Sequence, residues 1–229
     1  MKQKLSIQEI IRREKRRQAL GTEIMCDWDF AHDNMENPEL TRYARNYVKY
    51  FPRFRAQGAG LLLYGGPGSG KSYAAAEIVN ALTDQGYRCL FTSLLSILSE
   101  LASLSCDSRR NYLSQVCDRD LLALDDFATE AENSYTNNIL LQVINTCRLK
   151  RVPLLVTTPC HPDTLTKGGS DSKRAFIVRR LLSRCKSINV IMPGPRCSEN
   201  FRRRKQTDAL LQHPECAGEQ QALDFDKKK

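Results

Sequence analysis

The stretch of sequence that decides the fold is Gly65-Gly66-Pro67-Gly68-Ser69-Gly70-Lys71-Ser72. It satisfies the pattern G-x-x-x-x-G-K-[ST], in which glycines let successive backbone N–H groups converge on a phosphate where side chains would obstruct them. An apolar run over residues 61–64 precedes the stretch, and a helical pattern over residues 71–84 follows it. A strand, a glycine-rich loop and a helix in this order predict a site for a nucleotide triphosphate.

The polar residues of this loop have expected roles in binding ATP and Mg²⁺. We predict that Lys71 reaches the β- and γ-phosphates and that the Ser72 hydroxyl binds Mg²⁺. Lys71 is also expected to act in catalysis because it contacts the phosphate that is transferred. The residues predicted to contact the nucleotide are Gly65, Gly66, Pro67, Gly68, Ser69, Gly70, Lys71, Ser72 and Tyr73.

From residue 60 onward, short apolar runs alternate with helical patterns, which is typical of an α/β fold with a parallel sheet. The predicted strands are residues 61–64, 88–92, 121–124, 153–158 and 188–192. The predicted helices are residues 71–84, 94–104, 111–117, a segment around 139–147, and a basic helix over 173–185. We therefore expect a three-layer P-loop fold around a central, parallel, five-stranded sheet.

Two helices are predicted before the sheet. Ser6-Ile7-Gln8-Glu9 is a capping-box pattern, and Gly21 offers a stop for the helix that follows it. A second helical pattern begins near residue 40 and is expected to end at Pro52. The basic side chains of the first helix either contact DNA or an acidic partner or form a solvated face; they are Arg12, Arg13, Lys15, Arg16 and Arg17.

A pair of carboxylates follows the third predicted strand. Asp125 is expected to anchor Mg²⁺, and Asp126 is expected to orient the attacking water, with Glu130 as an alternative to Asp126. The competing interpretation is a solvated acidic turn. Along the chain a complete strand, 88–92, separates the loop strand from the carboxylate strand. This order suits the P-loop ATPases that have an inserted strand between these two motifs, and it disfavours most small-molecule kinases.

Composition limits the remaining possibilities. The 229 residues carry a net charge of +9 and a pI near 9.2. This charge suits an anionic partner such as nucleic acid and suits an ordinary basic protein equally well. Nine scattered cysteines without a C-x-x-C spacing argue for free thiols in a cytoplasmic protein and against a structural metal site. No apolar run is long enough to cross a membrane. We expect a basic N-terminal helix over residues 1–25, an ATPase domain over 26–205 and a polar, disordered tail over 206–229.

Over residues 30–205 the sequence resembles the AAA+ ATPases of the DnaC and IstB type, which are bacterial replicative-helicase loaders and transposition helpers. The resemblance depends on the segments at residues 60–65, 121–127 with Glu130, 153–158, 180–185 and 200–204. It implies an AAA+ type of P-loop fold and ATP hydrolysis between subunits of a homo-oligomer.

The resemblance also implies roles for residues late in the chain. Arg180 would be the finger that reaches the γ-phosphate bound by a neighbouring subunit, with Arg179 as the alternative. Arg202 would be the sensor arginine that contacts phosphate within its own subunit. Pro159 stands where the family has a sensor Asn after Thr-Thr, and Thr158 is the expected substitute. Surface or DNA-backbone roles remain open for these arginines.

The sequence is compatible with four functions. The leading one is a DNA-stimulated ATPase that assembles on single-stranded DNA and loads a replicative helicase. The second is a transposition helper that binds duplex DNA and recruits a transposase. The third is a small-molecule kinase with Arg179, Arg180 and Arg184 as lid cations. The fourth is a nucleotide-gated binding module that does not hydrolyse ATP, which Pro159 keeps open.

Overall fold

The computed structural model describes residues 6–130, 133–167 and 172–191. The strands in these ranges are β1 Gly60–Tyr64, β2 Cys89–Ser93, β3 Leu121–Asp125, β4 Leu154–Thr158 and β5 Cys185–Asn189. The α-helices are α1 Ile7–Leu20, α2 Pro38–Lys49, α3 Phe51–Gln57, α4 Lys71–Asp84, α5 Leu94–Ser103, α6 Cys106–Val116, α7 Ser134–Leu149, α8 Pro162–Thr166 and α9 Lys173–Leu182. A short 3₁₀ helix spans Ile24–Asp27. No helix of the described ranges is long and apolar enough to span a bilayer.

The five strands form one parallel sheet in the order β2-β3-β4-β1-β5. This confirms the predicted fold class, but the order corrects one inference from the chain. The strand that separates the loop strand β1 from the carboxylate strand β3 is β4, whereas β2 lies at the edge of the sheet. Sequence order alone pointed to residues 88–92 because it does not show which strands are neighbours.

Helices cover both faces of the sheet, which gives the three layers. Because successive side chains of a strand point to opposite faces, Leu61 and Leu63 pack with α1, α2 and α4. Leu62 instead joins the core formed with α5, α6, α7 and α9. Strands buried on both faces read as continuous apolar runs, and for this reason β1, β3 and β4 were recognisable from sequence.

The N-terminal helix begins at the predicted capping box. The Ser6 Oγ accepts from the Glu9 N–H at 3.2 Å, and the Ser6 N–H donates to Glu9 Oε2 at 2.7 Å. The helix ends at Gly21, which adopts φ 73°. A left-handed residue at this position is a common helix stop.

Buried ion pairs hold α1 against the rest of the protein. Arg16 is buried, and its guanidinium donates to Asp29 at 2.8 Å and to Asp84, at the end of α4, at 2.6 Å. Two further pairs are exposed: Arg13 pairs with Asp27 at 2.9 Å and, within α1 itself, Arg17 pairs with Glu14 at 2.8 Å. Three of the five basic residues that were considered for DNA contact therefore have carboxylate partners within the chain.

Several boundaries differ from those predicted, and among them α6 begins at Cys106 rather than residue 111. The helix α2 ends at Lys49, and Pro52 lies in the first turn of α3, where its missing N–H leaves no bond unmade. The helix α9 ends at Leu182 rather than residue 185, and β5 begins at Cys185, three residues before the predicted start. Cys185 pairs with Gly60 of β1. The start of this edge strand contains the polar residues Lys186 and Ser187, so it does not form an apolar run in the sequence.

Candidate nucleotide-binding site

The glycine-rich loop connects β1 to α4 and requires glycine for two different reasons. Gly70 precedes α4 with φ 93°, a conformation that other residues rarely adopt. Gly65 has φ 152°, and a Cβ built there would lie 2.2 Å from the Val190 carbonyl oxygen. Glycine is therefore required at position 65 because the chain after β5 passes close to it, whether or not a ligand is bound.

Lys71 is the first residue of α4 and its ammonium lies within the loop. Nζ donates to the carbonyl oxygens of Gly65 at 2.9 Å and Gly66 at 2.8 Å, and to Ser69 Oγ at 3.4 Å. Burial lowers the pKa of Lys71, and the nearby Asp126 and Asp125 charges oppose that shift. A phosphate oxygen is a stronger, charge-assisted acceptor than these carbonyls, so the ammonium is positioned to exchange them for phosphate.

Asp125 and Ser72 are brought together across the sheet edge. The Ser72 side chain hydrogen bonds to the Asp125 carboxylate, and Thr157 Oγ1 donates to Asp125 Oδ1 at 2.6 Å. Burial raises the pKa of Asp125, whereas the hydrogen bonds from Thr157 and Ser72 lower it. Hydroxyl and carboxylate oxygens are the donors that Mg²⁺ takes in proteins. Ser72 and Asp125 therefore fit the Mg²⁺ site predicted for them.

Asp126 lies at the exposed end of the same strand. Its φ of 51° is in the left-handed region, which costs energy for a residue with a Cβ but is tolerated best by Asp and Asn. The Asp126 N–H donates to Thr157 Oγ1 at 2.9 Å. The carboxylate predicted to orient water is thus adjacent to Asp125 and is not buried.

Glu130, the alternative to Asp126, is engaged elsewhere. Its side chain is 4% exposed, and its carboxylate pairs with Arg174 of α9. The carboxylate also accepts from the Ala128 N–H at 3.1 Å. The Arg174 guanidinium stacks 4.7 Å from the centre of the Phe127 ring. A buried, paired carboxylate is a poor general base, so the geometry favours Asp126.

Sequence reasoning missed Arg174, which fixes the loop after Asp126. One signal was present: Arg174 shares a helical face with the buried Val178 and Leu181, at intervals of four and seven residues. A cation on an otherwise apolar face is buried only when it is paired.

The structure corrects the expectation for Thr158. Its hydroxyl is fully buried, donates to the Phe127 carbonyl at 2.7 Å and accepts from the Cys160 N–H at 3.2 Å. Adjacent residues of a strand face opposite sides, and it is Thr157 that contacts both carboxylate residues. The polar β4 side chain of this site is therefore Thr157, and Thr158 supports the turn behind it.

The late arginines are not brought to the loop by the described contacts. Arg180 is half-buried, donates to Asn145 Oδ1 at 2.5 Å and stacks 4.5 Å from the centre of the Phe176 ring. Arg179 is exposed on the same helix. Arg202 lies outside the described residues. The role of a finger acting on a neighbouring subunit stays a prediction for Arg180.

An aromatic pair lies beside the first turn of α4. Tyr73, which was predicted to contact the nucleotide, stacks on Trp28 with ring centres 5.6 Å apart and planes inclined by 27°. Trp28 follows the 3₁₀ helix, so the segment between α1 and α2 reaches the start of α4.

Comparison with known proteins agrees with this geometry. A family model described as IstB-like ATP binding protein matches residues 4–206. A protein of Sinorhizobium fredii (strain NBRC 101917 / NGR234), named as an insertion sequence ATP-binding protein, is 34% identical over 103 residues, which cover 44% of this chain and 34% of that protein. The replicative helicase loader DnaC of Escherichia coli (strain K12) is 28% identical over 127 residues, which cover 54% of this chain and 51% of that protein. The matches thus span about a third and about half of these relatives.

The crystal structure of DnaI is similar in fold. It matches with a TM-score of 0.63 at 19% identity, covering 77% of this chain and 96% of that chain. The solved structures that share this fold, among them DnaI and DnaC, are AAA+ P-loop domains. At such low identity the likeness concerns the fold alone.

Proposed function

The chain belongs to the family of IstB-like ATP-binding proteins, and from this premise we propose that it hydrolyses ATP and acts on single-stranded DNA as a loader of a replicative helicase. The proposal of ATP hydrolysis is supported by the arrangement of Asp125 and Asp126 around the Thr157 hydroxyl, next to Ser72 of the phosphate loop. Binding without turnover would not require a second, exposed carboxylate beside the metal-anchoring one.

Each residue of this arrangement has a step in the proposed reaction. Lys71 would contact the β- and γ-phosphates, and Ser72 and Asp125 would hold Mg²⁺, which when bound would neutralise charge that develops on the phosphate oxygens. Asp126 orients the attacking water and accepts its proton. The Thr157 hydroxyl bonds to the Asp125 carboxylate and to the Asp126 N–H, and so fixes the position of these two residues relative to each other.

Hydrolysis is proposed to need more than one subunit. Arg180 supplies the transition-state cation to the γ-phosphate of a neighbouring subunit, and Arg202 contacts phosphate within its own subunit. A fixed guanidinium stabilises the developing charge best in a site from which water is excluded. Support comes from the family membership and from the position of Arg180 on α9, where Asn145 already orients it.

Helicase loading and DNA association are supported by the net charge of +9 and by the similarity to DnaC. Positive charge favours contact with a phosphate backbone. We place the protein in the cytoplasm, where a replicative helicase and ATP are both present.

A second candidate is an ATP-dependent helper of an insertion sequence that binds duplex DNA and recruits a transposase. It is favoured by the family model and by the 34% identity to the Sinorhizobium fredii protein. The two candidates share the ATP site and differ in the macromolecule that stimulates it.

The test is a turnover assay with ATP alone, with single-stranded DNA and with duplex DNA, on the natural chain and on Lys71→Ala. Lys186→Ala, which changes an exposed lysine of β5, is the matched control. We expect turnover that DNA stimulates, at least a hundredfold loss in Lys71→Ala and no loss in Lys186→Ala.

Each other outcome has a meaning. Equal ATP affinity and turnover in Lys71→Ala would overturn the phosphate-loop assignment. Tight ATP binding with no turnover under any condition would leave a nucleotide-gated binding module. Stronger stimulation by duplex than by single-stranded DNA would favour the insertion-sequence helper, and phosphorylation of an added small acceptor would indicate a kinase.

A further inference from the structure

The outer face of α2 and the start of α3 carries a regular set of tyrosines and cations. We name it the basic tyrosine stripe, and its members are Arg42, Tyr43, Lys49, Tyr50 and Arg53. Arg42 and Lys49 are seven residues apart, as are Tyr43 and Tyr50, so each pair recurs after two helical turns on one side. The opposite side of α2 carries the buried residues Leu40, Ala44, Tyr47 and Val48.

The two tyrosine rings are open to solvent. Tyr43 is 40% exposed and Tyr50 is 42% exposed. The Arg42 guanidinium lies 5.5 Å from the centre of the Tyr43 ring, and Lys49 Nζ lies 5.3 Å from that of Tyr50. Such contacts are worth only about 0.5–1 kcal/mol in water. A ligand can therefore take the ring and the cation separately at small cost.

The cations of the stripe lack close internal acidic partners. Within the described residues, neither Lys49 nor Arg53 has a carboxylate within ion-pair distance, and the Arg42 contact with Glu39 is long, at 3.8 Å, and exposed. On α1, Arg13, Arg16 and Arg17 are paired, whereas the exposed Arg12 and Lys15 have no ion pair within the described residues. An external anion could thus meet uncompensated charge on α1 as well, but α1 has no aromatic residue, so the stripe is where such charge lies beside exposed rings.

The balance of charge over residues 38–57 also favours an anionic ligand. This segment has one carboxylate, Glu39, and five cations, which are Arg42, Arg45, Lys49, Arg53 and Arg55. Arg55 pairs with Asp120, and Arg45 donates to the Phe30 carbonyl at 3.0 Å. Three cations of the stripe remain for phosphates, and they alternate with two aromatic platforms.

We propose that the basic tyrosine stripe binds single-stranded DNA, with bases stacked on Tyr43 and Tyr50 and phosphates held by Arg42, Lys49 and Arg53. The inference rests on the proposed action on DNA and adds the surface that performs it. Alternating aromatic and basic side chains are what a flexible single strand recognises. A duplex offers its phosphates but keeps its base faces stacked, so it cannot use the tyrosines.

The test measures binding of a fluorescein-labelled oligo-dT by anisotropy. Tyr43→Ala and Tyr50→Ala should each weaken binding at least fivefold, because stacking one base on an aromatic side chain is worth about 1–3 kcal/mol. Tyr43→Phe and Tyr50→Phe should retain nearly full affinity, since the ring and not the hydroxyl makes the contact. Tyr135→Ala, at a tyrosine that is 49% exposed on α7, is the matched control and should bind normally.

The cations make a separate prediction. Replacing Lys49 and Arg53 by Gln should reduce the slope of log K against log salt concentration by about 0.7 for each DNA phosphate that the protein no longer neutralises. ATP affinity and melting temperature should stay as in the natural chain for all these variants, which would show that the fold and the nucleotide site are intact.

The outcomes separate this inference from the function it rests on. If the natural chain does not bind oligo-dT even at low salt, the proposed action on single-stranded DNA fails, and the stripe fails with it. If the natural chain binds but the tyrosine variants bind equally well, only the stripe is overturned. Equal losses of duplex binding in the tyrosine variants would also overturn it, because no stacked base can account for them.

Discussion

The Thr157 hydroxyl lies 2.6 Å from Asp125 Oδ1 and donates a hydrogen bond to it. The same oxygen accepts the Asp126 N–H at 2.9 Å. A single side chain on β4 therefore orients both acidic residues that end β3. A group of this kind acts on the reaction through the residues it positions.

Thr157→Val keeps the shape of the side chain but removes both hydrogen bonds. We expect kcat for ATP to fall about tenfold to a hundredfold, as is typical when a residue that supports a metal ligand is removed. The Mg²⁺ concentration for half-maximal rate should rise, because Asp125 loses a bond that favours its charged form. A magnesium titration of steady-state turnover measures both quantities.

Thr158→Val provides the control for this change. Its hydroxyl bonds to the Phe127 carbonyl, so the variant should lower the melting temperature and leave the magnesium dependence as it was. A Thr157→Val enzyme with unaltered kcat and magnesium dependence would contradict the assigned role.

Gly65→Ala and Gly66→Ala should separate packing from ligand contact. An added Cβ at Gly65 would meet the Val190 carbonyl at 2.2 Å, whereas nothing lies within 4 Å of one at Gly66. We expect Gly65→Ala to cost about 2 kcal/mol of stability, or about 4–8 °C in melting temperature for a chain of this size. Gly66→Ala should melt within about 1 °C of the natural chain. Equal melting of both variants without nucleotide would refute the packing requirement.

Glu77 makes stability depend on pH. It is 2% exposed on α4, its Oε1 has no hydrogen-bond partner among the described residues, and burial raises its pKa to about 8. The folded chain thus keeps a proton that the unfolded chain releases above about pH 4.5. Its contribution to stability is full below that pH and is lost as pH rises towards 8.

Glu77→Gln cannot lose a proton, so it should melt at least about 3 °C higher than the natural chain at pH 8.5 and close to it at pH 4.5. Thermal unfolding at several pH values gives the comparison, and Glu100→Gln, at an exposed position, is the control. A melting difference that does not change with pH would show that Glu77 is not protonated in the folded state.

Arg180→Ala tests whether the site is shared between subunits. We expect turnover to fall at least tenfold while ATP affinity changes less than about twofold, because a finger contacts the transition state more than the ground state. Mixing this variant with Asp126→Asn should restore part of the activity, since some interfaces then combine an intact finger with an intact carboxylate. Arg179→Ala should retain activity.

Asn145→Ala distinguishes catalysis from structure at this position. Asn145 accepts the Arg180 hydrogen bond that joins α7 to α9. If Asn145→Ala reproduces the whole loss of turnover together with a lower melting temperature, and mixing restores nothing, Arg180 has a structural role.

Features that depend on local pattern were predictable from the sequence. The loop before α4, the apolar strands and the two acids at the end of β3 are all contiguous signals. Thr157 could not be chosen over Thr158, because two adjacent strand residues differ only in which face they occupy. That face is fixed by the register of β4 against its neighbours.

Long-range pairings were also beyond the sequence. The contact of Arg174 with Glu130 joins residues 44 positions apart, and that of Arg16 with Asp84 joins residues 68 positions apart. Basic residues on a helix usually form a solvated face. Only the packing of α9 and α1 shows that these two are buried and neutralised.

The position of β4 has a consequence for charge. Neighbouring strands lie about 4.8 Å apart, so β1, which leads into the loop, and β3, which ends at Asp125, are separated by about 10 Å with β4 between them. Among the described residues the Lys71 ammonium donates to the loop carbonyls and forms no ion pair with Asp125, whose charge acts on Lys71 only by raising its pKa. An ammonium and a carboxylate thus lie at the same edge of the sheet without a direct ion pair between them. A ligand that satisfies both must itself bring negative charge to one side and a cation to the other.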